Sequence, residues 1–183
     1  GDVYKRQANT AVGKNALYTN TTGSSNVAMG WDALYANNGT NNNALGREAL
    51  QQNTTGGSNN AFGFRALEEN TTASNNSAFG HEALTTHTPG SENSAFGKEA
   101  LYTNNASNNS AFGVTSLYLN TTGTGNSAFG QSSLKKNTTG SYNTAIGRVA
   151  MFENTTADGN TAIGYACMQA NTTGQYNTAM GHN

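Results

Sequence analysis

The side chains able to do covalent, metal or acid–base chemistry are three histidines, one cysteine and a recurring set of carboxylates. A cysteine nucleophile needs a base beside it, and a metal needs several donors at short spacing. Acid–base catalysis needs two groups that hold a proton differently. Cys167 stands at a position held elsewhere by Ala or Ser, which marks a small packing site, not an activated thiol. His81 and His182 share one register directly after a glycine, and His87 replaces a turn asparagine. None clusters with Cys167 or with carboxylates at ligand spacing. Glu48, Glu82 and Glu99 share a register, but Arg65, Thr115 and Val149 hold it in other repeats. The glycines form neither a Gly-x-x-x-x-Gly-Lys-Ser/Thr phosphate loop nor a dinucleotide fingerprint. The expectation is no catalytic residue, no metal, no cofactor and no enzymatic activity.

A different chemistry is glycan attachment. Asn-x-Ser/Thr is the N-glycan acceptor sequence. It occurs in Asn-Thr-Thr at Asn20, Asn53, Asn70, Asn120, Asn137, Asn154 and Asn171, and in other contexts at Asn38, Asn75, Asn105 and Asn108. Asn-Thr-Thr-Gly is equally good turn chemistry, so the same residues fit a purely structural role. Tyr18, Tyr35, Tyr102 and Tyr118 share one register, where they could grip a carbohydrate or a partner, or simply shield the edge of the fold. Paired threonines in a glycine-bounded turn do not make the flat array that would order ice.

These residues are placed by a tandem repeat, which must be recognised before any fold is assigned. Taking the glycine of each Ala-apolar-Gly triplet as position zero gives Gly13, Gly30, Gly46, Gly63, Gly80, Gly97, Gly113, Gly130, Gly147, Gly164 and Gly181, spaced by 17 residues in eight steps and 16 in two. Position −4 is always Asn, −2 always Ala and −1 always large and apolar, with a run of Phe from Phe62 to Phe129. Position +4 is Leu or Met, +3 is small, and +7 is Asn except at His87. Beyond residue 7, every charge but Glu92 and Asp158 falls at +1, +2, +5 or +6, the expected solvent face. The two short repeats lose their residue between Asn37 and Asn42 and between Asn104 and Asn109, as an exposed turn tolerates.

Asn-(Thr/Ser)-Ala-apolar-Gly predicts a short strand, with Asn and Ala on one face and Ser/Thr and the apolar residue on the other. Restriction at +3, +4 and +7 predicts a helical turn next, with a second strand as the alternative. Two large apolar side chains per coil cannot offset the ordering of a whole coil, so coils must stack. The fold class is therefore a parallel β-solenoid, β-roll-like, of 17-residue coils. Both strand faces are restricted, whereas a single solenoid needs one inward face. Either the alanines pack against a tight corner of their own coil, or the second face meets another chain. Stacked asparagines can hydrogen-bond along the solenoid and satisfy turn backbone.

The composition is compatible with this. There are 29 Asn, 26 Thr, 14 Ser and 22 Gly but only 10% charged residues, and the net charge is −1. No basic stripe points to nucleic acid, and no apolar run is long enough for membrane insertion. Residues 1–7 fit no repeat and resemble translated adaptor sequence, so they are read as a non-native leader. Residues 8–183 are read as a fragment of a longer array.

The recurring Asn-(Ser/Thr)-Ala-(Ile/Val/Phe)-Gly-x-x-Ala resembles head repeats of trimeric autotransporter adhesins. It is still more similar to the Asn-Thr-Ala-Val-Gly-x-x-Ala-Leu-x-x-Asn-Thr-Thr-Gly arrays of bacterial and phage surface fibres. The resemblance covers residues 8–183 and implies an extracellular fibre or stalk, at a cell or virion surface, that self-associates into a homo-oligomer or filament. The alternative expectation is an adhesin or phage tail-fibre segment that binds a receptor, glycans among the partners.

Overall fold

In a computed structural model, which describes residues 7–86 and 89–183, the repeats stack as one β-solenoid. His87, Thr88 and residues 1–6 lie outside the described residues. Each repeat gives one three-residue strand: β1 (Thr10–Val12), β2 (Val27–Met29), β3 (Asn43–Leu45), β4 (Asn60–Phe62), β5 (Ser77–Phe79), β6 (Ser94–Phe96), β7 (Ser110–Phe112), β8 (Ser127–Phe129), β9 (Thr144–Ile146), β10 (Thr161–Ile163) and β11 (Thr178–Met180). They form a single parallel sheet in chain order. Every pair is in register, Ala11 on Ala28 and Phe62 on Phe79, and the 16-residue repeats keep it, Ala28 on Ala44 and Ala95 on Ala111. At about 4.8 Å per strand the described stack is roughly 50 Å long.

Of the two readings of the following segment, the structure has turns and no second strand. The turns close by bonds such as Asn20 N–H to Leu17 C=O (3.2 Å). They do not propagate as an α-helix, because φ is positive at +2 and +4 in every full repeat, as at Glu48 (60°) and Leu50 (51°). Isolated left-handed residues alternate the direction of successive peptides, so the amides point along the stack instead of back along a helix. Glu48 N–H bonds Trp31 C=O (2.8 Å) and Leu50 N–H bonds Ala66 C=O (3.0 Å). The axial hydrogen-bond ladder thus runs through the turns as well as the strands.

Position zero must be glycine for two reasons. Its φ lies between 128° and 146°, and a Cβ on Gly46 would run into the carbonyl of Gly63 in the next coil.

The core is narrow. Inside the end coils, Ala28 to Ala162 at −2 are fully buried, as are Ala33 to Ala150 at +3 and Leu34 to Met151 at +4. The asparagines from Asn26 to Asn160 at −4 and from Asn37 to Asn154 at +7 are buried with them. The Ala and Asn face of the strand is therefore covered by its own chain, the tight-corner arrangement. Leu or Met is the one large apolar side chain that each coil puts inside. The second, at −1, points out.

Gln7, read with the leader by sequence, is hydrogen-bonded to the array. Its carbonyl accepts the Ser25 N–H (2.7 Å), as Ser24 accepts Asn41 N–H one coil further on.

Candidate interaction surface

The two buried asparagines of each coil hold the stack by different bonds. At −4, Asn126 Oδ1 accepts the Asn143 backbone N–H (3.0 Å) of the next coil while its Nδ2 donates to Gly140 C=O (2.8 Å). At +7, the Nδ2 groups of Asn53, Asn70, Asn120, Asn137, Asn154 and Asn171 donate to their counterparts in the preceding coil and to a carbonyl in their own turn, as Asn137 does to Asn120 Oδ1 (2.7 Å) and Gly140 C=O (2.8 Å).

The Asn-Thr-Thr acceptors are these +7 rungs. Asn53, Asn70, Asn120, Asn137 and Asn154 are inaccessible to solvent, and each Nδ2 is engaged twice. A glycan on that nitrogen would replace one of its hydrogens and need space that the preceding coil fills, so burial opposes a glycan there. Asn171 makes the same bonds, Asn20 donates to Gln7 Oε1 and Gly23 C=O, and both are half-buried. Asn75, Asn105 and Asn108 are exposed. Sequence reasoning could not separate these groups, because Asn-x-Ser/Thr says nothing about which way the amide points.

The remaining candidate chemistry is dispersed along the rod. Cys167 is buried in the small +3 register. His81 lies 3.6 Å from Glu82 and packs on Phe64 (5.2 Å between centroids). His182, far along the same +1 register, stacks on Tyr165 (4.9 Å). Glu48 is largely buried between Arg65 (2.7 Å) and Arg47 (2.8 Å). The Arg65 hydrogen bond holds its carboxyl below the usual carboxylate range, whereas burial pushes Glu68 up. Among the described residues no three His, Cys, Asp or Glu side chains converge on a metal position, and no pocket is found.

What faces solvent is a set of stripes parallel to the axis. Register +1 alternates cations and rings from Lys14 to Phe64, with Lys14 and Arg47 on either side of Trp31 (5.4 and 4.5 Å). Register +5 stacks Tyr18 on Tyr35 (5.3 Å) and Tyr102 on Tyr118 (5.2 Å). Register −1 stacks Phe62, Phe79, Phe96, Phe112 and Phe129 at 4.5–4.9 Å with planes 6° apart. No protein-family model, curated protein or solved structure matches the chain. Two further exposed rings, Tyr142 and Tyr176, lie where a Cβ on Gly125 or Gly159 of the preceding coil would stand, a pairing that no repeat-wide pattern signals.

Proposed function

We propose that this chain is a segment of a non-enzymatic extracellular fibre or stalk, carried at a cell or virion surface. The observation that supports it most is the closure of strand and turn amides onto neighbouring coils along one axis. Backbone bonds aligned along a rod share an axial load, and near-identical coils give length without a specialised centre. Glycan decoration, if the source cell supplies it, belongs to the exposed Asn75, Asn105 and Asn108. The likeness to adhesin and surface-fibre repeats agrees with this reading. Its test is to label the native protein with an antibody against the array and image it by cryo-electron microscopy. Filaments outside the cell envelope or on virions, with a repeat of about 4.8 Å per coil, are expected. A compact particle in the cell interior overturns the proposal.

A receptor-binding segment is the second reading. It is favoured by the exposure of Tyr18 (66%), Tyr142 (72%) and Tyr176 (78%), since amphipathic rings are common contact residues. Tyr142→Ala with Tyr176→Ala should then abolish attachment to host cells while leaving filament length unchanged. Unaltered attachment excludes those rings as the contact.

A further inference from the structure

The outer face of the sheet carries two registers. One is small or polar at −3, mostly Ser, Thr and Asn, and the other is apolar at −1. Neither contains a charged residue in any of the eleven strands. Met29, Phe129 and Ile146 are 43%, 39% and 41% exposed, and Phe62 to Phe112 are half-buried, covered mainly by one another. We propose that this stripe is the seat of a second copy of the chain, packed sheet to sheet with the two apolar ladders interdigitating. The inference rests on the fibre reading and names its partner.

Three features commit the stripe to a second copy. Stacked rings with planes 6° apart turn their edges outward, so the ladder is a row of ridges one coil apart, with grooves half a coil out of step. A surface that fills those grooves in succession must carry the same period over the same length, as another array does and an unrelated globular partner does not. Absence of charge is the composition of an interface centre, with the charged +1 register left at one rim. Area is also adequate. A side chain of about 200 Å² left roughly a third outside offers about 70 Å². Eleven of them offer on the order of 750 Å² per copy, close to the ~800 Å² per partner of a stable interface.

The test is analytical ultracentrifugation of the full chain across concentration, alongside far-UV circular dichroism and small-angle scattering. The chain is expected to sediment as a dimer with the scattering cross-section of two packed rods. Phe79→Glu with Phe112→Glu, outward positions that leave the Leu and Asn core untouched, should raise the dimer dissociation constant at least 100-fold with an unchanged dichroism spectrum. Should that variant misfold, Phe96→Ser supplies the same test with a smaller expected rise, about tenfold. Tyr118→Glu, on another stripe, should dimerise as the parent does. A parent chain that stays monomeric, a stoichiometry above two, or a folded Phe variant that still pairs overturns the proposal. So does a monomeric chain that instead floats with neutral lipid vesicles. A rod-like monomer defeats the pairing and leaves the solenoid fibre standing, whereas a compact scattering profile defeats the fibre reading itself.

Discussion

At the scale of single residues, the buried asparagines matter more than their polarity suggests. A strand segment of three residues pairs few amides, and the bends on either side would leave buried N–H and C=O groups unmet. Asn side chains supply the missing partners because a carboxamide both donates and accepts. Asn126→Leu fills the space but strands the Asn143 N–H, whereas Gly140 C=O keeps the bond from Asn137 Nδ2. A stranded amide costs about 1–3 kcal/mol, and chemical denaturation should show a loss of that size. An exposed change such as Asn108→Ser should cost far less. Glu48 gives a pH-dependent counterpart. Its folded pKa lies below the unfolded value, so its contribution is complete above about pH 5 and disappears as pH falls through the folded pKa. Glu48→Gln should therefore lower the unfolding midpoint at pH 7, and the gap between variant and parent should close on acidification below about pH 4. A gap that persists well below that pH would mean that packing, not charge, holds Glu48.

At the scale of the element, the unit is a strand, a glycine bend and a left-handed turn. The glycine bend sets how closely coils approach. Gly80→Ala would push a Cβ against the carbonyl of Gly97 at a φ of 146°, where both space and conformation oppose it. The expected result is loss of cooperative thermal unfolding by circular dichroism, whereas Ala73→Gly in the neighbouring turn should be tolerated. The short repeat shows how the turn absorbs a deletion. In a full repeat the Thr54 and Thr55 amides donate to the Thr71 carbonyl. Where the next coil is one residue short, the Thr21 and Thr22 amides donate instead to Asn38 Oδ1 (2.8 and 3.2 Å). One side-chain oxygen stands in for a lost backbone carbonyl, which is why the strand register survives.

At the scale of the whole molecule, each coil touches only its neighbours, so stability accumulates with coil number. Excising residues 64–97, two whole 17-residue periods, joins Gly63 directly to Lys98. Lys98 holds the same +1 register as the Phe64 it replaces, so the ladders stay aligned. The shortened chain should keep its dichroism spectrum and lose about 10 Å in maximum dimension by small-angle scattering. An excision of similar length that is not a whole number of periods should abolish cooperative folding, since the ladders would no longer align.

The periodicity by itself determined the solenoid, its parallel register and the Asn ladders. Those follow from local chemistry repeated at fixed spacing, and stacking in register is the way such coils meet their backbone bonds. Which face of the strand turns inward was not legible. Alternation divides Asn and Ala from Ser/Thr and the apolar residue, but hydrophobicity favours burying Phe, and only the width of the closed coil decides otherwise. With Leu67 at +4 already filling the narrow interior, there is room for Ala61 and none for the adjacent Phe62. The same closure buries Asn53 and its equivalents, which turns acceptor sequences into structural rungs. The helix-like spacing at +3, +4 and +7 was real, but alternating left-handed residues make turns of it, because the amides find better partners in adjacent coils than along their own segment.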